Sequence, residues 1–185
     1  MDNVDVGGVT WKPRYARRSL KTLCALLNSQ VLRWFFPHVS APFRGGFRSA
    51  NRQFLEQIPI CEASADEERP IDGLVDILLY LNRHFVGNPV AQTTRDPLMV
   101  AYWERVLNGL VYELYFPEEL HAAGLRLFDL VASADLPDIT NLPGKDRLGT
   151  LRKKFEEVYD IEHPLRAALF TLGNIEVVRI IEGKE

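Results

Sequence analysis

The sequence predicts a mainly α-helical protein, a helical bundle with a few short β-strands near the N-terminus. Apolar residues recur at the three- and four-residue spacing of buried helix faces through most of the 185-residue chain. Residues 9–12 alternate in polarity as a short strand does. The composition, 46% hydrophobic and 25% charged, is typical of a globular protein. Neither an apolar run long enough to span a membrane nor a signal peptide is found, so we expect a cytoplasmic protein without a membrane partner.

The N-terminal region, residues 1–60, is predicted to combine helices with short extended pieces. One helix is expected over residues 17–36 and should end at Pro37, because proline cannot continue the hydrogen-bond ladder. Gly45 and Gly46 indicate a turn. A short helix over residues 51–57 should stop before Pro59. Residues 61–70 are acidic and lack an apolar face, so they are predicted to form a linker.

The C-terminal region, residues 71–185, is predicted to be a helical domain. Asp72 is a candidate cap for its first helix, and residues 136–144 are a predicted loop because they hold several helix breakers. Residues 175–181 fit either a strand or a last helical turn. Helices are expected over residues 71–85, 97–116, 117–132, 147–158 and 164–172.

Charge is distributed very unevenly along the chain. Residues 11–55 contain nine Lys or Arg and no Asp or Glu, whereas residues 56–185 contain 13 bases and 23 acids. A long basic stretch of this kind is typical of a surface that faces a polyanion. The alternative is that the basic stretch pairs with the acidic remainder of the same chain.

The side chains best suited to binding DNA lie between residues 40 and 53. Arg44, Arg48 and Arg52 recur every four residues, and arginine can bind guanine through two hydrogen bonds. Ser40 adds a hydroxyl group, and at Gly45 and Gly46 the backbone can approach a phosphate closely. Lesser phosphate contacts are expected from the bases that precede or begin the first helix, Lys12, Arg14, Arg17, Arg18 and Lys21.

The aromatic residues, the cysteines and the histidines do not indicate a binding or catalytic site. Phe43, Phe47, Trp34 and Trp103 are all expected to lie in the core. The two cysteines, 37 positions apart, fit neither a disulfide scaffold nor a thiolate zinc site, and the four histidines lack metal-ligand spacing. We therefore predict no catalytic residue, no metal site and no cofactor in this chain.

One alternative enzyme class is a small metal-dependent nuclease. Asp138 and the Glu182-Gly-Lys184 segment contain the carboxylates and lysine that many nucleases place beside a phosphate. Short patterns of this kind arise often by chance in a charged chain. This alternative requires Asp138 and Glu182 to converge in space.

Three segments of the sequence resemble the end of a known domain. They are LCALLNSQVLRWFF over residues 23–36, SAPFRGGFR over residues 40–48 and FLEQIPI over residues 54–60. Together they resemble the TaqI-like C-terminal specificity domain of type IIG restriction–modification enzymes and related adenine-specific DNA methyltransferases. Residues 110–120 look like the helical segment that often follows it. The resemblance does not extend to residues 125–185.

The resemblance implies that the chain is the C-terminal part of a larger enzyme. Such enzymes transfer a methyl group from S-adenosylmethionine to adenine, and those that also cleave DNA use Mg²⁺. Their catalytic N/D-P-P-Y/F motif is missing here, since Asn88-Pro89 is followed by Val90. The expected role is therefore recognition of double-stranded DNA alongside the remaining domains of the parent enzyme. Homodimerisation of this part in isolation is also expected, and the alternative function is a helical protein-interaction module.

Overall fold

The computed structural model describes residues 18–42, 45, 47–87 and 92–184. Within these ranges the chain is mainly helical, as predicted. In chain order the helices are α1 (Leu20–Leu27), α2 (Gln30–Val39), α3 (Arg52–Leu55), α4 (Ala65–Gly87), α5 (Asp96–Tyr115), α6 (Pro117–Ala122), α7 (Leu127–Ser133), α8 (Gly144–Val158), α9 (Pro164–Leu172) and α10 (Glu176–Ile181).

The predicted N-terminal strands are not observed among the described residues. Residues 9–12 lie outside those residues. Around the predicted glycine turn, Pro42 and Arg48 form a single isolated antiparallel bridge. One bridge cannot build a sheet, so the extended pieces remain a local turn.

The helix predicted over residues 17–36 is divided into α1 and α2 in the structure. Ser29 makes the division, because its hydroxyl donates to the Leu26 carbonyl at 2.7 Å and accepts from the Leu32 amide at 3.3 Å. This capping favours a new helix start over a continuous helix. Pro37 was expected to end the helix but lies inside α2, which Ser40 closes by donating its amide and hydroxyl to the Phe36 carbonyl.

Helix α4 begins six residues before the predicted position. The Ser64 amide donates to the Glu67 carboxylate at 2.7 Å, and the Glu67 amide donates to the Ser64 hydroxyl at 3.3 Å, which is a capping box. Acidic residues in the first turn also favour a helix start through the helix dipole. The predicted linker is therefore wrong for residues 65–70, and Asp72 lies inside the helix instead of capping it.

Helix α5 occupies the centre of the structure, and the helices packed against it include α1, α2, α4, α6, α7, α8 and α9. Trp103 and Leu110 on this helix are fully buried. Gly109 permits close approach by α7 and α9, because a Cβ atom at this position would lie 3.0 Å from Leu127 Cδ1 and 3.3 Å from Leu169 Cδ2. The predicted helix over residues 97–116 is thus confirmed, and the structure places it in the centre of the core.

Both sides of the predicted linker contribute to one hydrophobic core. Leu26 on α1 and Val31 on α2 belong to the same buried cluster as Leu74 on α4 and Ile181 on α10. The basic N-terminal helices are consequently fixed on the acidic helical remainder by apolar packing.

The C-terminal half follows the prediction with one exception. The helix predicted over residues 117–132 is two helices, α6 and α7, separated at Gly124, whose φ of 74° is in the left-handed region that glycine adopts readily. The loop before α8 and the helices α8 and α9 are confirmed. Residues 176–181 are helical, so the strand alternative for this segment is wrong.

Candidate nucleic-acid interface

The predicted turn presents a small loop at the end of α2. Gly45 has a φ of 75°, which favours glycine, and the Ser49 amide donates to the Ala41 carbonyl at 3.0 Å. The Arg48 Nη1 donates to the Ser40 carbonyl at 3.1 Å and ties the two sides of the loop together. Ser40 itself is buried, with its hydroxyl used to close α2. Its predicted role as a DNA contact therefore competes with a structural role.

Arg52 begins α3, just beyond this loop. Its side chain is 90% exposed, and Nε donates to the Glu56 carboxylate at 2.6 Å. A guanidinium has five N–H donors, so this contact leaves most of them available for a ligand. The other predicted contacts Arg44, Gly46, Lys12, Arg14 and Arg17 lie outside the described residues.

Arg33 on α2 is an exposed base that the sequence analysis did not select. No hydrogen bond or ion pair of its side chain is found within the described part of the chain. Arg33 lines an apolar cavity of about 560 Å³ together with Leu55 and Ile58, which places α2 beside the segment that follows the glycine turn. Its position off the apolar stripe of the helix was the sequence signal that could have identified it.

Two aromatic residues predicted to be buried are exposed, one on α2 and one after the end of that helix. Phe47, in the loop, is 72% exposed, and Trp34 on α2 is 40% exposed with its ring centroid 4.6 Å from that of His38. The prediction is therefore wrong for these two residues and confirmed for Trp103, while Phe43 lies outside the described residues. Exposed aromatic residues beside arginines are typical of surfaces that bind nucleic acids or proteins.

Arg18 and Lys21 bind groups on α4 or just before it, whereas Arg48 and Arg52 bind groups within their own segment of the chain. Arg18 donates to the Ala63 carbonyl and to the Glu62 carboxylate, the latter at 3.3 Å. Lys21 Nζ lies 2.6 Å from Asp76 Oδ2 on α4, and this hydrogen bond raises the pKa of the lysine. These two residues match the alternative in which the basic stretch pairs with acids of the same chain.

The two carboxylates that the nuclease alternative requires to converge do not line the same cavity in the described part of the chain. Asp138 and Glu182 line different cavities and have different partners, Asn141 for the first and Tyr112 for the second. In the described ranges, no three His, Cys, Asp or Glu side chains are arranged to hold a metal ion.

Of the described helices, none has the length and apolar character needed to cross a membrane.

No protein-family model, curated protein or solved structure matches the chain.

Proposed function

We propose that this chain is the C-terminal DNA-recognition portion of a restriction–modification DNA methyltransferase and that it is not catalytic alone. The observation that carries the proposal is the set of exposed basic and aromatic residues on α2, on the loop that follows it and on α3, namely Arg33, Arg48, Arg52, Trp34 and Phe47. Glu56 is the only carboxylate between residues 18 and 56. We call these five residues the arginine–aromatic surface.

The arginines of this surface are suited to double-stranded DNA. Each guanidinium keeps donors beyond those used inside the protein, and these can bind phosphate oxygens or a guanine edge. The Gly45 turn allows the backbone to approach a phosphate. Helices α4–α10 would brace the surface from behind, because α2 packs on α5 and α10.

The remaining domains of the parent enzyme would supply the chemistry. S-adenosylmethionine and any Mg²⁺ would bind there, and this cytoplasmic portion would contribute DNA affinity and target choice. Arg18 and Lys21 are reassigned within this proposal from DNA contacts to residues that hold α1 on α4.

The test is a fluorescence-anisotropy titration of the chain with a random-sequence DNA duplex at low and moderate salt. We expect binding that weakens steeply with salt. Arg33→Ala and Arg48→Ala should each weaken binding about three- to tenfold and reduce the salt slope by about one unit, since each removes one phosphate contact.

Arg83→Ala is the matched control, because Arg83 is an exposed arginine on α4 that does not line the cavity beside Arg33. It should leave the affinity within about twofold. Circular dichroism of each variant verifies that the fold is retained. Equal losses of DNA affinity in all three variants would mean that net charge alone determines binding. The arginine–aromatic surface would then no longer support the proposal.

A docking module is the second candidate function, and a specific observation favours it. The cavity beside Arg33 is mostly apolar, and its lining residues include Leu27, Leu32, Phe36 and Leu55. Trp34 is exposed on α2, the helix that carries Arg33. Apolar surface of this kind is typical of protein contacts. Absence of DNA binding at low salt together with homodimerisation in analytical ultracentrifugation would favour this function.

A further inference from the structure

A small polar cavity lies between α2, α5, α9 and the end of α10. It has a volume of about 210 Å³. This volume is below the range of clefts that hold drug-sized ligands, so a ligand of this cavity has to be small. Ala101 and Leu172 contribute apolar surface to the lining. The polar residues of the lining are Gln30, Glu104, Arg105, Asn108, Tyr112 and Glu182.

Glu182 is the most buried charged residue of this lining, with a side chain that is 13% exposed. Its Oε2 binds Nζ of Lys184. Its Oε1 lies 3.5 Å from Arg105 Nη1 and 3.5 Å from the Tyr112 hydroxyl. Charge-assisted hydrogen bonds are ordinarily about 2.5–2.9 Å long, so both contacts of Oε1 are weak. This oxygen can therefore accept a stronger hydrogen bond from a ligand.

Arg105 is likewise not saturated by the protein. Its Nη2 donates to the Leu169 carbonyl at 3.1 Å, and its contact with Glu182 is the long one. By contrast, Arg152 Nη2 lies 2.7 Å from Asp96 Oδ2. A guanidinium has five N–H donors, so Arg105 keeps donors for an anionic group of a ligand.

Tyr112 places a buried hydroxyl beside these two charged groups. The residue is 1% exposed, and the long contact with Glu182 is the hydrogen bond that the described structure gives its hydroxyl. Burial is the main cause of the raised pKa of this tyrosine, and the charge of Glu182 raises the pKa further. The hydroxyl therefore stays protonated at neutral pH and can donate. A buried donor with a weak acceptor is costly, which favours a ligand that offers a better acceptor.

The charges around the cavity balance one another. Arg105 and Lys184 are positive, and Glu104 and Glu182 are negative. No hydrogen bond or ion pair of the Glu104 side chain is found in the described part of the chain. A ligand with a single charge is repelled by the groups of its own sign, whereas a ligand with one charge of each sign can pair with both kinds. The cavity therefore favours a small zwitterion.

We propose that this cavity binds a free α-amino acid. The ammonium group of the ligand would donate to Glu182 Oε1 and to Glu104, and its carboxylate would accept from Arg105 and from the Tyr112 hydroxyl. A peptide terminus carries only one of these two groups, so a free amino acid matches the cavity better than a peptide end does. The five residues of the arginine–aromatic surface are not among the lining residues, so this binding does not depend on the function proposed for that surface.

The experiment measures the melting temperature of the full chain at neutral pH with each standard L-amino acid at about 10 mM. A ligand with a dissociation constant of about 1 mM or lower raises the melting temperature, because it binds the folded chain. We expect this for at least one amino acid, and isothermal titration calorimetry then gives its affinity. The N-acetyl derivative and the methyl ester of the same amino acid should each bind at least about tenfold more weakly, because each lacks one of the two charges.

Two variants of the chain test the residues directly. Glu182→Gln and Arg105→Gln should each weaken binding of the amino acid about tenfold. Their matched controls are Glu176→Gln and Arg179→Gln, which remove the same charges from exposed positions on α10 outside the cavity. These controls should bind within about twofold of the unmodified chain. Circular dichroism verifies that each variant is folded.

Three results would each overturn the proposal. The first is that no standard amino acid binds the unmodified chain. The second is that the N-acetyl derivative or the methyl ester binds as well as the amino acid itself, a result that does not depend on whether any variant folds. The third is that the folded cavity variants bind no more weakly than their controls. Loss of DNA binding has no bearing on these outcomes, so failure of the proposed DNA-recognition function is distinguishable from failure of this site.

Discussion

Glu113 has a structural role that the residues around it in the sequence do not indicate, because its carboxylate is buried and binds another helix. It lies on α5, is only 7% exposed, and accepts hydrogen bonds from the Leu127 amide at 2.6 Å and the Phe128 amide at 3.0 Å. These are the first amides of α7, which have no partner inside their own helix. His121 Nε2 lies 2.8 Å from the other carboxylate oxygen. One buried side chain therefore caps a helix that begins fourteen residues later.

Replacing Glu113 should destabilise the protein in proportion to the hydrogen bonds removed. Glu113→Ala leaves two buried amides unsatisfied and should lower the free energy of unfolding by about 3 kcal/mol. Glu113→Gln keeps an oxygen for these amides and should cost about 1 kcal/mol. Urea denaturation monitored by circular dichroism measures both values.

Glu104→Ala, on the exposed face of the same helix, controls for helix propensity and should cost less than about 0.5 kcal/mol. If Glu113→Ala were no more costly than this control, the capping role assigned to the carboxylate would be wrong.

At the scale of the elements, an ion pair joins the start of α5 to the middle of α8. Arg152 Nε lies 2.9 Å from Asp96 Oδ1, and Nη2 lies 2.7 Å from Oδ2, so the contact is bidentate. The Asp96 side chain is 2% exposed and the Arg152 side chain 36%. Burial alone would raise the pKa of Asp96, but hydrogen bonds from Arg152 and Thr93 outweigh it and hold the pKa below its ordinary value.

Asp96→Asn should therefore lower stability in a pH-dependent way. Because the folded-state pKa of Asp96 is depressed, its contribution is fully present above the unfolded pKa of about 3.9 and is lost as the pH falls through the folded value. At neutral pH we expect a loss of about 1–3 kcal/mol, less than for a fully buried pair because Arg152 can be hydrated. The difference between variant and unmodified chain should shrink below about pH 4. Urea denaturation at neutral and acidic pH measures this, and a constant difference would contradict it.

Helices were predictable from the sequence where a periodic run of apolar residues was bounded by proline or glycine. Helix α5 begins beside Pro97 and ends before Pro117, and the prediction differs from the structure by one residue at each end. The errors lie where side-chain capping decides the boundary. Ser29 divides a continuous apolar stripe, and the Ser64–Glu67 capping box starts α4 inside a stretch without an apolar face.

The candidate site was less predictable than the fold, for a different reason. Charge along the sequence identifies basic residues but not the acids that meet them in space. Lys21 and Arg33 look equivalent in the basic stretch, yet one binds Asp76 from a helix 55 residues away and the other has no partner in the described structure. The prediction that Trp34 and Phe47 are buried was wrong for a similar reason, since an aromatic side chain in the sequence does not show whether another element packs over it, and both are exposed.

At the scale of the whole molecule, charge is separated between two surfaces built on one hydrophobic core. The arginine–aromatic surface is positive, whereas the cavity between α4 and α7 is negative, with Asp72, Asp76 and Asp129 among its lining residues. Lys21 belongs by sequence to the first but by contact to the second. A net charge of −3 conceals this separation. It follows that a basic residue contributes either to ligand binding or to internal pairing, according to the surface it lies on.

Lys21→Gln tests this division in a single variant. Loss of the pair with Asp76 should lower the free energy of unfolding by about 0.5–1 kcal/mol at low salt and by less than half of that at high salt, because the pair is partly exposed and therefore screened. DNA affinity should stay within about twofold of the unmodified chain. Denaturation at two salt concentrations and the anisotropy titration measure the two effects separately. Unchanged stability with a loss of DNA affinity equal to that of Arg33→Ala would instead place Lys21 in the interface, where the basic pattern of the sequence predicts it. The positive surface would then extend along α1 towards the negative cavity between α4 and α7.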